Sequence, residues 1–153
     1  MDDKLLGQYF RLSEFLRSDT AIRKGIDNMP GPDAMRNIET VLAPGMARVR
    51  NLLQCPILVT SGYRSPEVNR AIGSASTSQH TLGLAADFTS PDYGTPRKIA
   101  QRLMEMGPSI RFDQLIWEGT WVHISFVAAA PRGQVLTANF ARDGRVTYSP
   151  GIA

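Results

Sequence analysis

The chain has 153 residues, 42% of them hydrophobic and 20% charged, which suits one globular domain with a sizeable core. No stretch approaches the roughly eighteen apolar residues needed to cross a bilayer, and the start Met1-Asp2-Asp3-Lys4 lacks the apolar run of a secretory signal. The net charge of +3 is spread over Arg48, Arg50, Arg64, Arg70, Arg97, Lys98 and Arg102, not gathered into the basic face of a nucleic-acid binder.

These features predict a monomer made in the cytoplasm without a signal peptide, with neither nucleic acid nor membrane as partner. Any action outside the cell would need another route of release. The single cysteine, Cys55, excludes an internal disulfide, and its apolar surroundings predict a buried structural thiol.

Residues 9–18 carry a short helical pattern with Phe10, Leu12, Phe15 and Leu16 as its apolar positions. The turn-rich Asp27-Asn28-Met29-Pro30-Gly31-Pro32 follows. Asp33 is then placed to cap a helix in which Met35, Ile38, Leu42, Met46, Val49 and Leu53 share a core-facing stripe. Pro44-Gly45 inside that stripe predicts a kink or two abutting helices.

Element types alternate in the second half. Pro56–Thr60 reads as a buried strand and Ser65-Pro66-Glu67 as the capped start of a helix reaching Ile72. Gly73–Gln79 reads as a loop, Leu84–Thr89 as a strand, and Thr95–Met106 as a helix burying Ile99, Leu103 and Met106 before Gly107-Pro108. Asp113–Glu118 and Trp121–Val127 are expected to pair around a tight turn at Gly119-Thr120. A last hairpin over Val135–Ala138 and Arg145–Tyr148 turns at Asp143-Gly144. The predicted class is α+β, a small antiparallel sheet with helices packed mainly on one side, in one domain over residues 1–153.

The chain has only two histidines. His80 precedes the strand that contains Asp87, and strand alternation puts Ala85 and Asp87 on one face and Ala86 and Phe88 on the other. Gly83 allows a tight backbone between His80 and that strand. In Trp121-Val122-His123-Ile124-Ser125-Phe126 the same alternation sets Trp121, His123 and Ser125 apart from Val122, Ile124 and Phe126. A strand histidine is often a satisfied core residue, and Asp87 could equally cap a turn or pair with an arginine. Together, two imidazoles and a carboxylate match a catalytic zinc site with a fourth position open.

The pattern Ser78-x-His80-x-x-Gly83-x-Ala85-x-Asp87, with Trp121-x-His123 downstream, resembles the zinc D-alanyl-D-alanine carboxypeptidases. Their relatives include D,D-dipeptidases and phage L-alanyl-D-glutamate endopeptidases. Ser61-Gly62-Tyr63-Arg64-Ser65-Pro66-Glu67-Val68-Asn69 is similar to the family's upstream motif, and Leu12-Ser13-Glu14-Phe15-x-x-Ser18 to a short phage or prophage branch. The resemblance covers residues 10–127.

It implies zinc held by His80, Asp87 and His123, with Arg64 on the substrate or the developing oxyanion. It also implies hydrolysis of a peptidoglycan stem peptide, by a carboxypeptidase or an endolysin-like endopeptidase. Ser78 binds substrate, orients His80 or caps a loop; Tyr63 and Trp121 line the cleft or pack in the core. Many members place the catalytic acid three residues before the last histidine, where this chain has Thr120. The hairpin parity offers Glu118 instead, on the face of His123 and one diagonal step away, unless it is a solvated acid beside the turn. Asp113 has the opposite parity. Two other readings stay open: a non-catalytic zinc-binding phage structural module, and a metal-free protein whose motif residues are structural.

Overall fold

The computed structural model describes residues 3–153, so Met1 and Asp2 of the acidic start lie outside the described residues. Strands β1 (Leu5–Leu6) and β2 (Phe10–Arg11) pair antiparallel and lead into helices α1 (Leu12–Leu16) and α2 (Asp19–Lys24). The helix expected over residues 9–18 is therefore shorter at both ends. Phe10 is taken by β2, and Ser18 starts a new helix by accepting a hydrogen bond from Ala21 N. Phe10, Leu12 and Phe15 are buried as the pattern requires.

A helical rod then runs from Pro32 to Leu53 in three pieces: α3 (Pro32–Asn37), a π-helical turn (Ile38–Leu42) and α4 (Ala43–Leu53). Its capping position is Gly31, with Pro32 first in the helix; Asp33, expected as the cap, lies inside the first turn. Proline wins that place because its fixed φ suits the helix and its missing N–H would be unpaired there anyway. The irregularity at Pro44 takes the form of the π turn. Pro44 has no N–H to give and its ring needs room near the carbonyl of Thr40, so the helix widens just ahead of it. Ala43 N–H reaches back to Ile38 O. Ile38, Leu42, Met46, Val49 and Leu53 all enter the core, while Met35 is only partly covered.

The main sheet has six strands in the order β3-β4-β6-β5-β7-β8. These are β3 (Leu58–Ser61), β4 (Ala85–Thr89), β5 (Gln114–Trp117), β6 (Val122–Ser125), β7 (Gln134–Phe140) and β8 (Val146–Pro150). The expected small antiparallel sheet is thus larger and mixed, because β5 and β7 run parallel. Strand β6 has β4 on one edge and β5 on the other. The chain leaving β6 must therefore reverse and dock on the free edge of β5, which makes the new strand antiparallel to β6 and parallel to β5.

The run Pro56–Thr60, expected to be a buried strand, supplies the edge strand β3, and Leu58 is 56% exposed. Cys55 is half-buried at the end of the rod, not enclosed. Helix α5 (Pro66–Ala71) begins at the expected cap Ser65, and Thr95, expected as the first residue of its helix, is the cap of α6 (Pro96–Glu105). The short α7 (Gly107–Ile110) occupies the Gly107-Pro108 stop, and Met106 is only partly buried.

One sheet face, carrying Ala86, Phe88, Leu115, Val122 and Ile124, closes the core with the rod and α6. The class is α+β. Among the described residues no helix is long and apolar enough to cross a membrane.

The rod meets the sheet's continuation at Gly45, where a Cβ would stand 2.5 Å from the ring of Phe126, itself 1% exposed. Helix propensity alone would make Gly45→Ala stabilising by about 1 kcal/mol. The clash in a packed core reverses the sign, and a loss of about 1–3 kcal/mol is expected. Denaturant unfolding of the variant measures it; a gain in stability would show that Phe126 yields freely.

Candidate metal centre

The site is built on the other face of the sheet. Asp87 of β4 lies directly opposite His123 of β6, and His123 opposite Ile116 of β5. Asp87 Oδ1 is 3.0 Å from His123 Nδ1 and 3.3 Å from His80 Nε2. One potential ligand atom from each of the three residues lies within 4.8 Å of the other two. The three side chains named from sequence are therefore brought together, although His80 stands outside the sheet.

His80 reaches the sheet from a 3-10 turn (Gln79–Leu82), whose N-cap Ser78 accepts from His80 N. Gly83 ends the turn in the left-handed conformation, φ 72°, and a Cβ there would sit 2.6 Å from Ala34 O on α3. Both facts require glycine. The imidazole is fixed from behind by Gly62 O, 2.7 Å from His80 Nδ1. A carbonyl only accepts, so Nδ1 carries a proton and Nε2 is the ring nitrogen turned toward Asp87 and His123.

Gly62 in turn has no room for a side chain, since a Cβ would lie 2.5 Å from Phe15 O. Tyr63 N donates to that same oxygen at 2.7 Å. Asn28 completes the brace, donating to Leu16 O and Tyr63 O and accepting from Ser65 N. Buried backbone contacts thus set the aim of His80, the arrangement that steadies metal-ligating histidines.

Burial by itself would raise the Asp87 carboxyl. The His80 charge and hydrogen bonds with His123 and His80 outweigh it and hold Asp87 well below the usual carboxylate range. The carboxylate is thus ionised and can face a cation. Two imidazoles with one carboxylate, and a backbone carbonyl behind one of the rings, fit zinc.

A cleft of about 530 Å³ opens over these three residues. Arg64, Ser78, Glu118 and Trp121, all named from sequence, line it. Arg64 donates to Ser78 Oγ at 3.3 Å, while its Nε is buried without a partner, as is Trp121 Nε1. Two buried donors left unpaired in one cleft are costly unless a ligand takes them up. Burial lowers the Arg64 guanidinium from its ordinary value, with the negative charges of Asp87 and Glu118 opposing.

Glu118 N bonds Trp121 O at 3.0 Å across the turn, which gives the strand parity read from the sequence. Burial and the neighbouring Asp87 charge push its carboxyl up, against His123 and Arg64. Tyr63 is the exception among the candidates. It is 5% exposed, belongs to the core cluster, and is not among the residues lining the cleft.

Asp113 is engaged elsewhere: it takes a bidentate pair from Arg132, with contacts of 2.7–3.1 Å, and a hydrogen bond from Gln79 Nε2. The Arg132 hydrogen bonds, against a smaller burial penalty, lower its carboxyl. Gln114, Ile116, Leu136 and Tyr148 also line the cleft and were not singled out from sequence. For Gln114 and Ile116 the alternation with Glu118 carried a signal; for Leu136 and Tyr148 only the sheet order reveals it.

The sequence profile of the family described as Peptidase M15 matches residues 8–125, a span that contains His80, Asp87, Arg64, Glu118 and His123. No curated protein matches the chain. The family match covers most of the chain and ends within β6, after the last of the converging residues. The chain belongs to the Peptidase M15 family.

Proposed function

We propose that this protein is a zinc peptidase hydrolysing peptidoglycan stem peptides, as a carboxypeptidase or an endopeptidase. The observation that carries the reading is the convergence of His80 Nε2, Asp87 Oδ1 and His123 Nδ1 beneath a cleft holding a raised acid and the Arg64 guanidinium. His80, Asp87 and His123 are the residues that would hold the metal. Zinc, when bound, polarises a peptide carbonyl and lowers the pKa of water toward neutrality.

The remaining chemistry belongs to the chain. Glu118 has its carboxyl pushed up by burial, nearer the range in which a carboxylate accepts a proton and later gives it to the leaving amine. Arg64 keeps a charged fork in a half-enclosed cleft, where its unpaired Nε can meet negative charge that develops on the substrate oxygen. Ser78 steadies that guanidinium through its Oγ, and Trp121 offers the second unpaired donor. The cleft is open enough for a peptide, and the stem peptide is the substrate the family resemblance favours.

Elemental analysis of protein purified without chelators is expected to find about one zinc per chain. Absence of zinc, with none taken up on titration, removes the reading. Arg64→Ala should keep the zinc and lower hydrolysis of purified muropeptides by about a hundredfold, read by mass spectrometry of the products. Near-parent turnover would take Arg64 out of the site.

Glu118→Gln keeps the size of the side chain and removes the proton acceptor. Zinc should stay bound while hydrolysis falls by at least about a hundredfold. Parent-like turnover would assign the proton transfer to another group, and loss of zinc would make Glu118 a ligand. Zinc retained by a parent chain that cleaves no muropeptide would favour a non-catalytic metal module.

A further inference from the structure

The row of residues that starts at the metal centre continues across the whole sheet. Asp87 faces His123, His123 faces Ile116, Ile116 faces Leu136 and Leu136 faces Pro150, all on the same side. The next row runs from Trp121 and Glu118 toward Ala138, which faces Tyr148 on β8. Strands β7 and β8 lie beyond the family match, which ends at residue 125.

Directly opposed residues share a face, so Leu136, Ala138 and Tyr148 stand on the side of His123 and not on the core side. Leu136 and Tyr148 line the cleft. Ala138 is only 7% exposed although it lies on this open face. The groups around it therefore cover its methyl, and the cleft wall here is formed by Leu136 and Tyr148. Tyr148 itself is 52% exposed, an aromatic left at the edge of a site instead of being taken into the core. Partial burial, with the charges of Glu118 and Asp87 added, raises the pKa of its hydroxyl. Farther along the same face Phe140 and Val146, opposite each other, are also exposed.

Neighbouring strands are about 4.8 Å apart, so three spacings put β8 roughly 14 Å from β6. An extended peptide advances about 3.4 Å per residue, and the floor from His123 to Tyr148 therefore has room for about four residues. A dipeptide held at the metal centre would leave the outer half of this surface uncovered.

We propose that the C-terminal hairpin builds a remote subsite for peptide substrates, with Tyr148 over Ala138 as its specificity-determining side chain, so that the protein selects peptides extending several residues from the cleaved bond over dipeptides. This rests on the peptidase reading above for the position of the cleaved bond. The subsite offers an apolar, aromatic wall, suited to the aliphatic parts of a peptide residue. Tyr148 touches substrate and takes no part in the bond exchange.

The test measures binding by calorimetry on the full zinc-loaded chain carrying Glu118→Gln, which suppresses turnover. The probes are the pentapeptide L-Ala-γ-D-Glu-L-Lys-D-Ala-D-Ala and the dipeptides D-Ala-D-Ala and L-Ala-D-Glu. The pentapeptide should bind at least about tenfold more tightly than either dipeptide. Tyr148→Ala should reduce that ratio about fivefold or more, and Tyr148→Phe should keep it within about twofold, because the ring and not the hydroxyl supplies the wall. Arg64→Ala should weaken short and long peptides alike and leave the ratio in place.

Equal affinity for pentapeptide and dipeptides in the Glu118→Gln chain would overturn the proposal. So would a ratio unchanged by Tyr148→Ala. Hydrolysis of the same peptides by the parent chain is followed alongside. A chain that binds with the expected ratio but cleaves none of them keeps the subsite and loses the peptidase reading.

Discussion

The hydrogen bond from His80 Nδ1 to Gly62 O is the interaction on which the site depends. Asp87 and His123 are neighbours by strand pairing and would meet in any chain that formed β4 and β6 in this register. His80 has no such guarantee. It is delivered by a turn outside the sheet, and its ring would be free to rotate without an acceptor behind it. That acceptor is backbone, and it is in place only because Gly62 lies flat against Phe15 at the end of α1. The N-terminal helix thus acts on the chemistry through a carbonyl, with no side chain of its own in the cleft.

Packing and charge are separated cleanly by the sheet. Ala86, Phe88, Val122 and Ile124 seal the core on one face. Asp87 and His123 alternate with them onto the other. Two imidazoles and a carboxylate drawn together at the margin of a core lose much of their hydration, which is tolerable when each finds an opposite charge or a proton donor. Here each neighbour is a partner: the carboxylate is shared by both rings, and one ring is backed by a carbonyl. The arrangement is preorganised for a cation because both rings are held to the one carboxylate, and moving Asp87 would take away their common partner.

Much of this was legible in the sequence, and the failures have physical causes. Period-two alternation placed His123 and Asp87 on an open face, and a two-residue turn fixed Glu118 beside them, because local geometry suffices for both. Likewise the stripe from Ile38 to Leu53 gave the rod, and Ser65 capped its helix as expected. Other features depend on what lies next to a segment. An apolar run reads the same in a central strand and at an edge, so β3 looked buried. Tyr63 sits beside Arg64 in the same motif, yet it joins the core while Arg64 lines the cleft. The parallel pairing of β7 with β5 follows from which edges were already occupied, and residue types along β7 do not encode that. Leu136 and Tyr148 were invisible for the same reason.

The order in which the sheet can be assembled has its own consequence. The β5–β6 hairpin closes over a short turn, whereas β7 can dock only on an edge that β5 already presents, and β8 only on β7. The β5–β7 pairing joins segments about twenty residues apart, and nonlocal pairings form late and open early. Strand β8 is exposed along its length, and among the described residues no strand pairs with its outer edge. The outer strands can therefore loosen as a unit while the central hairpin stays shut. The cleft would widen on that side without disturbing the convergence of His80, Asp87 and His123, so the molecule keeps its most rigid contacts and its most yielding ones on opposite flanks of a single groove.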